Sequence, residues 1–126
     1  MPPRTMVSTP GAPPPAGHYS QAAKVGSLVQ VSGQMGFDPT DFSLAADVFG
    51  QTTRTLSNID AILRAAGSQM SDVVMLRVYL ASLSDFAEMN EALEPWFPSL
   101  RPARTTVQVT LPDGVLIEID ALAVAE

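Results

Sequence analysis

The stretch Pro102 to Ala123 holds one arginine, Arg104, and three carboxylates, Asp113, Glu118 and Asp120, side chains whose types suit ion-pair and acid–base chemistry; Arg104 and Glu118 are the candidate pair. A guanidinium stays charged and presents a planar fork that grips a carboxylate through two hydrogen bonds, which Lys cannot reproduce. A carboxylate can serve as general acid or base toward water or a substrate proton. In an arbitrary sequence, though, such an arginine is more often an ordinary surface or ion-paired residue, and a glutamate alternating with apolar neighbours is a solvated strand residue. Arg101 lies just before Pro102, outside the alternating run, and is expected to be solvated.

The elements that must place these residues follow from the pattern around them. Leu111-Pro112-Asp113-Gly114 is a turn, because Pro presets φ, Asp bonds its own backbone and Gly accepts the left-handed conformation. Alternating runs flank it, which predicts a terminal β-hairpin. With Pro112, Asp113 and Gly114 as the loop, Thr105, Val107, Val109, Leu111, Val115, Ile117, Ile119 and Ala121 share the core face. Arg104, Thr106, Gln108, Thr110, Leu116, Glu118, Asp120 and Leu122 take the other; a two-residue loop would mix the faces. In this register Arg104 opposes Leu122, roughly 13 Å along the strand from Glu118. One hairpin therefore cannot bring both to a small ligand, whereas two copies of the chain can. Asp120 is expected to pair structurally across the sheet.

A chain of 126 residues with 46% hydrophobic content is one domain with one core. The net charge of -6 and seven scattered Lys and Arg residues leave no footprint for a phosphate backbone, so nucleic acid is not an expected partner. With no Cys and a single His there is no disulfide, thiolate or His-based metal chemistry, and no metal is expected. No run approaches a membrane span, and the first 17 residues hold six prolines and no apolar leader core, so the expectation is a cytoplasmic protein with no membrane partner.

Residues 1–16 form a Pro-rich arm, read as extended, partly mobile and outside the central sheet. A strand at Ala22–Val25, a Gly26-Ser27 turn and a strand at Leu28–Gln34 make a first hairpin; Val29, Val31 and Met35 point one way, Gln30, Ser32 and Gln34 the other. From Asp47 the period changes to 3.6: Val48, Thr52, Thr55, Leu56, Ile59, Leu63 and Ala66 form a helical stripe that ends at Gly67. A strand at Val73–Leu80 follows, with Val74, Leu76, Val78 and Leu80 toward the core and Arg77 and Tyr79 away. Ser84-Asp85 caps a second helix with a Phe86, Met89, Leu93 and Trp96 or Phe97 stripe. The order is β-β-α-β-α-β-β, an α+β fold with one sheet and both helices on one face. The polar yet partly apolar opposite face points to self-association.

The motifs Gly17-His18-Tyr19-Ser20-Gln21-Ala22, Val31-Ser32-Gly33-Gln34, Asp85 to Asn90, Pro102-Ala103-Arg104-Thr105 and Ile117 to Ala121 stand in the order and spacing of the RidA (YjgF/YER057c/UK114) family. From about Gly17 onward the chain resembles that family. The resemblance implies a chorismate-mutase-like fold, a homotrimer with ligand sites between subunits, no cofactor, and hydrolysis of reactive 2-enamine and 2-imino acids to 2-keto acids and ammonia. It implies that Arg104 holds the substrate carboxylate and Glu118 positions or activates water. Tyr19, Ser32, Gly33, Phe86, Asn90 and Thr106 match positions lining the same cleft. The chain departs from the family pattern at His18, at Gly36, read as loosening a pocket wall, and at Thr106.

The leading expectation is thus a 2-iminobutanoate/2-iminopropanoate deaminase-like hydrolase. The alternatives are a trimer that binds small carboxylates or a protein partner without turnover, and a deaminase for a larger, aminomuconate-type substrate.

Overall fold

The computed structural model describes residues 2–125. Six strands form one sheet: β1 Arg4–Val7, β2 Ala22–Val25, β3 Leu28–Met35, β4 Val73–Leu80, β5 Ala103–Gln108 and β6 Ile117–Val124, in spatial order β1-β2-β3-β6-β4-β5. Two helices, α1 Val48–Ala65 and α2 Phe86–Leu93, cover one face. The α+β class and the single sheet are as the sequence predicts.

The Pro-rich arm contributes a strand that the pattern alone left out. Arg4–Val7 pairs antiparallel with β2, so the order becomes β-β-β-α-β-α-β-β. Prolines on either side hold it to an edge, where a missing N–H is tolerated. The buried Gln21 fastens the rest of the arm, with its amide Nε2 donating to the carbonyls of Thr9, Ala12 and Pro13 and its Oε1 accepting from the Thr9 N–H.

The terminal hairpin is not formed. β5 pairs parallel with β4, and β6 runs antiparallel between β3 and β4, so β4 separates the two strands that the turn connects. The Pro112 turn itself is present: Val115 N–H donates to the Pro112 carbonyl, and Gly114 has φ +81°. The connection rounds the C-terminal end of β4, where Val109 N–H donates to Leu80 and Ala81 N–H to Leu116. Composition explains the choice. β6 carries Ile117, Ile119, Ala121 and Ala123, all fully buried, and burial of each isoleucine is worth about 1.5–3 kcal/mol. β5 is Ala-Arg-Thr-Thr-Val-Gln, polar on both faces and suited to an edge. α2 joins β4 to β5 as a crossover between adjacent parallel strands, which α2's packing on the sheet favours.

This pairing inverts the predicted faces of β5. Arg104, Thr106 and Gln108 lie beside Leu76, Val78 and Leu80, on the side of the sheet that carries the helices, whereas Thr105 and Val107 share the other side with Arg77 and Tyr79. Two bulges change faces elsewhere. Between Val31 and Gln34 one extra residue enters β3, so Ser32 and Gly33 together oppose Asp120; Gln34 turns into the core and Met35 out of it. A register shift at Val74 leaves that residue half exposed and buries Val73 in its place.

α1 begins at Asp47, whose carboxylate accepts the Gly50 N–H at 2.7 Å, and its predicted stripe is buried throughout. Its polar residues within that face are bonded to neighbouring backbone. Gln51 Nε2 donates to Ala45 and Gly114, Gln51 Oε1 accepts from Leu116, and Asn58 Nδ2 donates to Met35 and Phe37. α1 thereby holds both the end of β3 and the entry to β6. Gly36 packs under this helix: a Cβ there would lie 2.6 Å from the Gln51 carbonyl oxygen. It permits close helix–sheet approach and does not loosen a pocket wall, contrary to the expectation from the sequence.

Candidate functional site

On the outer face of the sheet, away from the helices, β3 and β6 bring together Ser32, Gly33, Glu118 and Asp120, and the segment before β2 adds Tyr19. With Gln30, Val31, Met35 and Arg77 they line an open cavity of about 470 Å³. The bulge is what makes this possible. It turns the chain so that Gly33 lies directly against the Glu118 carboxylate, where a Cβ would overlap Oε2. Ser32 Oγ donates to the Ser20 carbonyl at 2.5 Å, so its remaining capacity is to accept. Tyr19 Oη accepts the Ala16 N–H at 3.1 Å, leaving its own O–H to donate.

Arg77 and Tyr79 on β4 stand directly opposite Asp120 and Glu118 on β6. Both donors go to Asp120: Arg77 Nε to Oδ1 at 2.8 Å and Tyr79 Oη to Oδ2 at 2.9 Å. Asp120 is thus paired structurally across the sheet, as expected. Burial and the bond to Asp120 push the Tyr79 hydroxyl up, which keeps it protonated as a donor. The Glu118 carboxylate receives no hydrogen bond from the described residues and is pushed up from its ordinary range, first by burial and then by the Asp120 charge.

The sign of that shift has a consequence for stability. Folding favours protonated Glu118, so its contribution is fully present below the ordinary value of 4.5 and is lost as pH rises through the raised folded value. Glu118→Gln is therefore expected to be more stable than the parent at pH 7 and equal to it near pH 4. Urea unfolding at the two pH values measures this, and a destabilised Gln variant at pH 7 would contradict it.

Arg104 occupies the opposite face. Its Nη1 donates to Asn90 Oδ1, lies 3.8 Å from the Met89 sulfur, and its guanidinium carbon sits 5.2 Å from the centre of the Phe86 ring. α2 thus supplies a polar stop, a soft contact and an aromatic plate that orient the fork. Burial draws the guanidinium down from its ordinary value, which leaves it charged. Arg104, Asn90, Leu76, Leu93, Glu94, Phe97, Arg101 and Pro102 line a cavity of about 550 Å³. Phe86 is 41% exposed, so it stands beside Arg104 and outside the core stripe, where Met89, Ala92, Leu93 and Phe97 are buried. Thr106 lies two residues on from Arg104 on the same face, with its hydroxyl buried and unpartnered among the described residues.

The candidate residues accordingly fall into two clusters on opposite faces. Tyr19, Ser32, Gly33 and Glu118 form one; Arg104, Asn90, Phe86 and, behind them, Thr106 form the other; the sheet lies between. The expectation that Arg104 and Glu118 share a face is overturned, because β4 and not β6 sets the orientation of β5. Arg101 is exposed, as expected, yet borders the same cavity as Arg104. His18 is exposed and lines neither cavity. Arg77 was readable as outward-facing; only the register with β6 ties it to Asp120. Among the described residues no cluster of His, Cys, Asp or Glu is placed to hold a metal ion, and no helix is long and apolar enough to cross a membrane.

A six-stranded mixed sheet with two helices on one side is the architecture of the YjgF-fold proteins. RidA from the Antarctic bacterium Psychrobacter sp. PAMC 21119 superposes with a TM-score of 0.91 at 42% identity, covering 95% of this chain and 98% of that one. Residues 9–125 match the family described as endoribonuclease L-PSP, and the chain belongs to that family, the YjgF/RidA family. A RutC family protein of Pyrococcus abyssi is 46% identical over 98% of both chains. A 2-iminobutanoate/2-iminopropanoate deaminase of Dermatophagoides farinae is 37% identical over the full length of both.

Proposed function

We propose that the protein is a hydrolytic deaminase of 2-enamine and 2-imino acids, working as a homotrimer in the cytoplasm without a cofactor. One copy supplies Arg104 and the next supplies Glu118. The observation that carries this reading is the division of the half-sites. A charged arginine, oriented by Asn90 and Phe86 and ion-paired to no carboxylate among the described residues, opens on one face, while a carboxylate without hydrogen-bond donors opens on the other. Each is incomplete within one chain, and each is completed by apposition of a second copy. The outer face has apolar area for such contact in Met6, Leu28, Val107 and Val124, each at least 40% exposed. The deaminase relative at 37% identity supports the chemistry.

Arg104 grips the substrate carboxylate and so fixes the neighbouring C2 atom. An enamine first takes a solvent proton at C3 to become the protonated imine. Water held by Glu118 then adds its oxygen to C2 as Glu118 takes one of its protons, and Glu118 returns that proton to nitrogen. As the C–N bond breaks, the hydroxyl passes its remaining proton to Glu118 and becomes the C2 carbonyl. Ammonia leaves and a 2-keto acid remains. Because imines already hydrolyse in water, orientation and one acid–base group suffice. Tyr19 O–H donates and Ser32 Oγ accepts at the cleft wall. The raised Glu118 value places the acidic limb of activity above the usual glutamate range.

An amino-acid oxidase generating imine from its substrate, with semicarbazide to trap what survives, tests this directly. The protein should reduce semicarbazone formation in proportion to its concentration. Unchanged trapping at micromolar protein would remove the proposal.

A further inference from the structure

The chain has seven Lys and Arg residues against thirteen Asp and Glu. Arg54, Arg64 and Arg77 are each paired with an acid, Asp38, Asp60 and Asp120 respectively, and Lys24 Nζ donates to the Ala66 carbonyl at 2.8 Å. Arg4 lies on the edge strand β1. The remaining two, Arg101 and Arg104, form no ion pair with the described residues, and both line the one cavity of about 550 Å³. In a chain of net charge -6, two uncommitted guanidinium groups on one cavity call for anions.

We propose that this cavity takes imino acids with two carboxylates, one held by Arg104 and the second by Arg101. The proposal rests on the deaminase reading and narrows its substrate class. Glu94 lines the same cavity and completes the match. The protonated imine of a dicarboxylic amino acid carries two negative charges and one positive; Arg101 and Arg104 answer its two carboxylates, while Glu94, with the Glu118 that the next copy brings, faces its positive nitrogen. A monocarboxylic imine leaves one arginine unbalanced. Leu76, Leu93 and Phe97 supply an apolar wall for the methylene groups between the charges. Three steps of chain separate the Cα atoms of the two arginines by at most about 10 Å, and both residues line one cavity, so a short diacid can reach both.

Calorimetric titration of the full chain with glutarate and butyrate, which needs no turnover, tests the pair. Glutarate should bind about tenfold tighter, the lower end for an added charge-assisted contact at a solvent-open site. Arg101→Gln should bring the ratio of the two affinities close to one, whereas Arg64→Gln, which removes a remote positive charge, should leave it as in the parent. Equal affinities in the parent, or an undiminished ratio in Arg101→Gln, would overturn the proposal. The imines of glutamate and 2-aminobutyrate are then compared in the trapping assay, where the first should give the higher kcat/KM. Glutarate preference with no hydrolysis of either imine would sink the deaminase reading and leave the two-anion cavity standing; hydrolysis of both with no glutarate preference would do the reverse.

Discussion

Arg104→Ala and Glu118→Gln are each expected to lower kcat/KM for imine hydrolysis by about 10²–10³-fold, the range for losing a bidentate charged contact or the acid–base group. Neither loss alone says how many chains build the site. Mixing the two inactive variants does. When they are unfolded together and refolded at equal concentration, about a quarter of the shared sites receive Arg104 from one chain and Glu118 from another, so activity returns to about a quarter of the parent. A site built within one chain would return nothing, since every chain lacks one member. The prediction follows from the placement of the two residues on opposite faces of one sheet. Persistent inactivity of the mixture, with native mass spectrometry confirming that mixed oligomers formed, would rule out the shared site.

Gly33→Ala is expected to cost about 10²-fold in kcat, the size associated with misplacing a reacting group by roughly 1 Å. The added methyl would overlap the Glu118 carboxylate, and because Gly33 sits in a bulge between two central strands the backbone has little room to retreat. The effect should fall on kcat more than on KM, since carboxylate binding belongs to Arg104 on the other half-site. Pairing the substitution with Glu118→Gln separates geometry from folding. If Gly33→Ala acts by displacing Glu118, the double variant is no slower than Glu118→Gln alone. Additive losses would show that Gly33 matters for another reason. Circular dichroism of the single variant guards against a general loss of structure.

The bulge also shows how far periodicity reaches. Strict alternation through Leu28 to Met35 assigned Gln34 outward and Met35 inward, and one inserted residue reversed both. Gly33 inside the run is a local hint of a bulge, but whether one forms is decided by the partner strand, which must place Ile119 and Ala121 in the core on either side of Asp120. Phe86 failed for a related reason. It stands at helical spacing with Met89 and Leu93, but α2 begins beyond the rim of the core, and its first turn meets Arg104 instead.

Much was nonetheless present in the chain itself. The helical stripe from Val48 to Ala66 with its Asp47 cap, the strand at Val73–Leu80, the Ala22–Val25 and Leu28 hairpin and the Pro112 turn are local patterns, set by side-chain spacing and turn chemistry, and they needed no knowledge of neighbours. The candidate residues are marked by the resemblance of their motifs to the family and not by residue type, which alone reads each of them as ordinary surface or core. Partnership was not local. Whether Ala103–Gln108 lies beside Ile117–Val124 depends on which strands compete for the sheet's centre, and the more apolar β6 takes the place between β3 and β4. That long-range competition turned Arg104 to the helix side and left Glu118 on the other: the sequence separated the two residues only along one face of a hairpin that is not formed, and the sheet itself separates them because β4 fixes the orientation of β5.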